Sequence, residues 1–342
     1  MTMPPDPFPH PVQSQVGISI QMPMISVIVP VYNGEVLLPL LLQSLSRLEY
    51  PSDHLEILIV NNNSSDRTAE ILAEFPSAAS FTALFEPSPG AGTARNAGIR
   101  QAKGEFLAFT DADCVVDSNW LKDLLAGFTD ATIGAVAGTL KPHTLTHPVE
   151  RYEALRLNCP GHRAVHVFLP TAVTANVMYR ADVFAQVGTF LECTGGEETD
   201  LNWRMQTQTP YRIHFLTEGG LVWHRYRADL KAFCRTQRYK ARTLIDLHRR
   251  WNLHVPTGRK ELFKAAIALP NFIPSVIKHS LKQRDRLLQE PGRVLWEGIW
   301  EARLDVLVPW ERYRGTREGL RLQAPPSQST SQNIPMQQLS GG

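Results

Sequence analysis

A chain of 342 residues is long enough for one large domain with an appendage, or for two modest domains. With 43% apolar residues, 20% charged residues and a formal charge of +2, it has an ordinary soluble composition, and its charge gives no basis for bulk nucleic-acid binding. No apolar run reaches the ~20 residues that carry a helix across a bilayer, and the four scattered cysteines (Cys114, Cys159, Cys193, Cys234) form no CxxC pair, which excludes a zinc or disulfide framework and leaves reduced thiols in a cytoplasmic protein as the expectation.

Residues 1–23 are proline-rich and polar, show no secretory signal, and are expected to be disordered. Met24–Val31, MISVIVPV, predicts a strand buried on both faces, and Val36–Leu48 follows with helical spacing. Leu55–Val60 repeats the buried-strand pattern and Arg67–Phe75 reads as a helix. Phe81–Phe85 predicts a third strand, with a helix over Gly92–Ala102 after a Pro-Gly turn; Glu105–Thr110 predicts a fourth strand that ends in an acidic cluster. Strands alternating with helices imply a parallel α/β sheet, whose ligands collect beyond the carboxyl ends of its strands.

The second half is less regular. Trp120–Phe128 reads as helix and Ala135–Leu140 as strand, while residues 142–170 give a weak signal suited to a substrate-facing region. Ala181–Val187 predicts a short helix, Gly195–Asp200 opens another through Met205, and Tyr211–Trp223 reads as strand-turn-strand ending at His224. Residues 229–260 carry nine Lys or Arg against two Asp on a helical pattern, and Leu262–Ile277 is apolar but broken by Pro270 and Pro274. The expected organisation is a catalytic domain over residues 24–228, a mainly helical region over 229–322, and a disordered tail over 323–342.

The chemistry-bearing residues stand at the predicted strand ends. Asp111 and Asp113, two carboxylates one residue apart, suit Mg²⁺ or Mn²⁺ held together with substrate phosphates; in isolation such a pair is more often a solvated turn. Tyr32 follows the first strand, where its ring can stack on a base. Asn61 and Asn62 follow the second, where an amide can read a base edge. Pro89–Asn96 is a Gly-rich turn entering a helix, a shape that admits ribose and phosphates. Each alone reads as ordinary turn chemistry; their placement at one sheet edge points to a site.

The runs SVIVPVYNGE, EILIVNNNSSDRT, PGAGTARNAGI, KGEFLAFTDADC and GGEETDLNWRM, in this order, closely resemble the family 2 glycosyltransferases from Met24 to His224. The resemblance implies an α/β GT-A fold, with a nucleotide-binding half and an acceptor-binding half around a mixed central sheet, and inverting transfer from a nucleoside-diphosphate sugar. It places Pro30, Tyr32 and Glu35 in the nucleotide-contact motif, Asn61 at the base, Arg95 near the ribose and phosphates, and Asp111 on ribose or metal. Asp113 and His224 become the metal ligands. It gives Glu198 the role of general base, although the family's Glu-Asp pair is here Glu197-Glu198; Asp200 is the fallback.

A UDP-sugar is the favoured donor, and a saccharide or lipid-linked saccharide of cell-surface or extracellular polysaccharide is the expected acceptor. The Glu198 and asparagine departures keep a second reading in view, a catalytically silent GT-A-like nucleotide-sugar-binding or scaffold protein. A nucleotidylyltransferase is disfavoured because PVYNGE stands where a triphosphate loop would be. A processive synthase is disfavoured because Gln237-Arg238-Tyr239 only partly echoes its motif. The basic segment around Arg235, Arg238, Lys240 and Arg242 reads first as a solvated helix face and second as a contact for anionic lipid on the inner face of the membrane. For the apolar residues after Leu262, packing on the catalytic domain ranks ahead of a membrane interface. Nothing in the sequence fixes the oligomeric state.

Overall fold

Buried, mostly apolar residues build the centre of the main sheet, and the polar Ser26 and Glu56 within it bond to each other. The computed structural model describes residues 22–75, 81–154, 168–192 and 195–322; the two expected disordered ends lie almost wholly outside these, as do Cys159, Cys193 and much of the weak 142–170 stretch. β1 (Ile25–Val31) has five of its apolar side chains at 1% exposure or less. α1 (Leu38–Leu45) packs Leu38, Leu41 and Leu42 beneath it. Then come β2 (Leu55–Asn61), α2 (Thr68–Glu74), β3 (Phe81–Phe85), α3 (Ala91–Gln101) and β4 (Phe106–Phe109), which deliver the three predicted strand–helix pairs and the fourth strand.

The acceptor-side half departs from the simple parallel reading. After β4 come β5 (Cys114–Val116), α4 (Trp120–Ala126), β6 (Ile133–Ala137), β7 (Leu140–Pro142), α5 (Pro148–Tyr152), β8 (Val177–Arg180), α6 (Ala181–Val187), α7 (Glu197–Gln208), β9 (Arg212–Phe215) and β10 (Val222–His224). The main sheet has the order β3-β2-β1-β4-β8-β6-β9, and a small sheet has the order β5-β10-β7. β8 runs antiparallel to both β4 and β6, so the sheet is mixed. The patterning does not mark β8: four residues that run straight into a helix offer too short a period. The strand expected over Ala135–Leu140 is two strands in different sheets. The break falls at Gly138, where an added Cβ would lie 2.2 Å from the Gly220 carbonyl oxygen, so the chain must bend around a crossing backbone.

Beyond residue 229 the chain is helical: α8 (Leu230–Arg250), α9 (Arg259–Ala268), α10 (Phe272–Lys282), α11 (Arg284–Gln289) and α12 (Pro291–Arg321). Asp229 caps α8 by accepting from the Ala232 amide at 2.6 Å. α12 packs along α8 so closely that Gly315 admits no side chain against the Arg238 carbonyl. The basic stretch on α8 is therefore not simply a solvated face, since Arg238 donates to Glu311 at 2.7 Å across this contact. α9 and α10 rest on α12, not on the catalytic half, which overturns the expectation that their apolar residues pack there. Among the described residues no helix is long and apolar enough to cross a membrane.

Candidate active site

Parallel pairing brings the loops after β1, β2 and β4 to one edge. Val31 stands opposite Asn61 and Ile28 opposite Phe109, so Tyr32, Asn62 and Asp111 follow within a residue or two of each strand end. Short polar bonds lock this edge. Asn33 Oδ1 accepts from the Ser65 amide at 2.9 Å, Gly34 N donates to Thr68 Oγ1 at 2.8 Å, and Glu35 N donates to Asp66 at 2.9 Å. Asn62, named in the sequence only for its amide, spans two loops: its Nδ2 donates to the carbonyls of Glu86 and Ser88, and its Oδ1 accepts from Gly90 N at 2.8 Å. It thereby fixes the Gly-rich turn.

The expected nucleotide contacts sort by exposure. Tyr32 is 67% exposed, leaving an open ring at the site's rim. Pro30 is half-buried within β1. Asn61 is buried, and its Oδ1 accepts from the Ser64 amide at 3.0 Å, which closes an Asx turn. Glu35 lies over the start of α2, with its carboxylate 3.5 Å from the Arg67 amide. Asp66 and Thr68, in the DRT that follows the asparagine run, were not singled out from the sequence; the fixed Ser-Ser-Asp-Arg-Thr spacing was the available signal.

Arg95 differs from its sequence reading. It is only 4% exposed, donates to Asp111 Oδ1 at 2.8 Å and to Glu197 Oε1 at 3.3 Å, and lies 5.8 Å over the Phe190 ring. Burial works against its charge, but Asp111, Glu197 and Glu198 outweigh burial and raise its pKa further. Arg95 is thus an internal brace from the end of β4 to the start of α7, not an open cation awaiting phosphate.

Asp113 sits in the small sheet's corner. Antiparallel register sets His224 opposite Cys114, and His224 Nε2 lies 3.6 Å from Asp113 Oδ1, so a contact across some 110 positions follows from strand pairing. Asp113, Cys114 and His224 offer ligand atoms within 4.8 Å of one another; Asp111 is not part of that group, being turned to Arg95. Burial pushes the Asp113 carboxyl up, His224 opposes this and Asp111 adds to it. His224 Nδ1 is buried with no hydrogen-bond partner among the described residues. The three side chains form a donor set that could hold a divalent cation. Nitrogen with carboxylate oxygen fits Mn²⁺ well and Mg²⁺ less well.

Glu198 enters through a left-handed turn. Gly195 (φ 93°) and Gly196 (φ 80°) precede α7, and a Cβ on Gly195 would meet Thr243 of α8 at 2.8 Å. Glu198 is half-buried and accepts from Thr174 Oγ1 at 3.0 Å. Burial raises its pKa, helped by Glu197 and Asp111, and opposed by Arg95 and Thr174. Thr174 precedes the unforeseen β8, so no sequence signal marked it. Asp200, by contrast, is 2% exposed, with Arg204 Nε at 2.7 Å on one oxygen and Trp251 Nε1 at 3.0 Å on the other. Both oxygens serve the junction of α7 with the end of α8.

Residues 26–188 match the model of the family described as Glycosyl transferase family 2. The glycosyltransferase AglE of Haloferax volcanii is 30% identical over 204 residues, 57% of this chain and 64% of that protein. The probable glycosyltransferase YdaM of Bacillus subtilis is 27% identical over 234 residues, 65% of this chain and 55% of its own. The chain therefore spans less than two thirds of either relative. Among solved structures, the mannosyltransferase PcManGT of Pyrobaculum calidifontis, in complex with GDP-Man and Mn²⁺, superposes with a TM-score of 0.57 at 18% identity, covering 87% of each chain. That likeness is one of fold, the GT-A arrangement.

Proposed function

We propose that this chain, whose residues 26–188 match the model of glycosyl transferase family 2, transfers a sugar from a nucleoside-diphosphate sugar to an acceptor hydroxyl with inversion. The observation that carries this reading is the Arg95 brace. By binding Asp111 and Glu197 at once, it ties the strand end that leads to Asp113 to the start of the helix that carries Glu198.

Asp113 and His224 would hold the divalent ion, and a bound ion would supply Lewis-acid stabilisation of the departing diphosphate. Tyr32 offers a stacking face to the base, and the Gly90–Gly92 turn gives the chain's amides access to ribose and phosphate. Glu198 takes the acceptor hydroxyl's proton. Its raised pKa makes it a stronger base than an ordinary glutamate, while Thr174 holds the carboxylate in one orientation. Asp200 is excluded from this role because both its oxygens are committed to Arg204 and Trp251. The acceptor is read as a saccharide or lipid-linked saccharide of cell-surface polysaccharide, and a UDP-sugar as the donor.

The test is a donor panel of UDP-sugars and GDP-Man with Mn²⁺ or Mg²⁺, read as binding and as transfer. Asp113→Ala should lose metal-dependent donor engagement, and Glu198→Gln should keep donor binding but lose transfer. If the wild-type chain engages no donor with either metal, the enzyme reading falls and the nucleotide-sugar-binding reading falls with it.

A further inference from the structure

Apolar side chains that soluble proteins bury are turned outward on α9 and α10. Along α10, Ile273, Ile277 and Leu281 recur every four residues and are 69%, 53% and 67% exposed, forming one stripe on the helix. On α9 and its C-cap, Phe263, Ile267 and Leu269 are 66%, 47% and 66% exposed. Within the two helices only Ala265 and Ser280 are fully buried. Exposed apolar residues at this density mark a candidate interaction surface.

The charges on these two helices are mostly positive. Arg259, Lys260, Lys264, Lys278 and Lys282 stand on these helices against Glu261 alone, and Glu261 is taken up by Lys264 at 2.7 Å. Lys260, Lys278 and Lys282 are exposed. Two copies of such a face would bring like charges together at a two-fold contact, which opposes self-association. A nucleic acid would pair the cations but leave the isoleucine stripe without a partner. An anionic bilayer satisfies both: its headgroups take the lysines and its acyl boundary takes the stripe, to a depth of about 5–10 Å.

We propose that α9 and α10 form a docking surface by which this protein lies on an anionic lipid membrane. The helices are fixed for this purpose. His279 Nδ1 meets Glu301 at 2.5 Å, and its ring packs over Gly298 of α12, where a Cβ would sit 3.3 Å away. α12 is seated on α8, and α8 reaches the Gly195–Gly196 turn ahead of Glu198. The docked face is thus tied by packed helices to the helix that carries the proposed base. Pro270 falls between α9 and α10, and Pro274 falls in the first turn of α10, where its missing amide breaks no helical bond. The two prolines shape two short helices lying on one support, not a single span.

The proposal stands apart from the catalytic assignment and is tested without donor or metal. The full chain is floated with vesicles of phosphatidylcholine, with and without phosphatidylglycerol, at about 0.1 M salt. Flotation is expected only with the anionic vesicles. Lys278→Gln and Lys282→Gln should each weaken partitioning about fivefold, the equivalent of ~1 kcal/mol per cation. The triple change Ile273→Ser, Ile277→Ser, Leu281→Ser should abolish flotation at an unchanged melting temperature. If the triple variant fails to fold, Leu281→Trp in the otherwise intact chain should gain quenching by brominated anionic lipid. No flotation with anionic vesicles, flotation indifferent to the lysines, or no added quenching of Leu281→Trp would each overturn the proposal. So would a concentration-dependent dimer that the triple change dissolves, since that would assign the face to a second copy of the chain.

Discussion

The carboxyl edge of the main sheet and the α9–α10 layer depart from ordinary globular chemistry in opposite directions. At the sheet edge, charged groups are drawn inward: Arg95 is almost fully buried between Asp111 and Glu197, and burial raises the carboxyls of Asp113 and Glu198. In the helical layer, Phe263, Ile273 and Leu281 are pushed outward. Neither arrangement stabilises an isolated fold. Buried ionisable groups cost desolvation, and exposed apolar groups forgo the roughly 25 cal/mol per Å² of burial. Both make sense as surfaces awaiting something, a cation and a substrate at one and a bilayer at the other.

The largest effect should come from the metal corner. Asp113→Ala should lower transfer by roughly 10³-fold or more, because the loss of several kcal/mol of charge stabilisation falls on the chemical step. Mn²⁺ is expected to raise the melting temperature of the wild type, and that rise should vanish in Asp113→Ala; a retained shift would place the ion elsewhere. Next, Glu198→Gln should cost about 10²–10⁴ in transfer while donor affinity is kept, the scale of one general base. The pH profile follows from the same residue. A base must be ionised, and burial raises this carboxyl above 4.5, so transfer should climb with pH along a limb displaced above the ordinary glutamate range.

Stability carries the opposite sign. A carboxyl with a raised folded pKa holds its proton more tightly in the native state, so its contribution is full below the unfolded pKa and is lost as pH rises through the folded one. Glu198→Gln should therefore be more stable than wild type at neutral and higher pH, by about 0.5–2 kcal/mol. Equal melting temperatures across the pH range would show that Glu198 is not under that strain.

Two further changes separate structural from functional groups. Asp200→Ala leaves Arg204 and Trp251 without their buried acceptor, at a cost of about 3–5 kcal/mol in stability; a loss of transfer with unchanged stability would move the base from Glu198 to Asp200. Smallest is Ile277→Ser, expected within about 0.5 kcal/mol of wild type in chemical unfolding, whereas Leu41→Ala in the core should cost about 2–5 kcal/mol. An equally costly Ile277→Ser would mean that the α10 stripe is covered within the protein.

The first two strands were legible because buried parallel strands write themselves as apolar runs rich in β-branched residues, as Ile25–Val31 and Leu55–Asn61 do. The loops at their ends were legible because turn residues are local. β8 was not, being four residues long and defined only by the partners on either side. With it went Thr174, whose hydroxyl meets Glu198 through a chain path that no spacing encodes. The site's residue types were readable. What Arg95 and Asp200 do was not, because that depends on which carboxylate or indole the fold sets beside them.

By itself, then, the sequence determined the alternation of strands and helices, the acidic and Gly-rich strand ends, and the break of the apolar C-terminal stretch at its prolines, all of which are properties of neighbours along the chain. Tertiary structure decided that His224 meets Asp113, that Arg95 is enclosed as a brace, and that the isoleucines of α10 face outward. Each of these depends on pairing register or on which helix face finds a partner, and free energies of burial and desolvation are set by three-dimensional surroundings that a one-dimensional pattern does not contain.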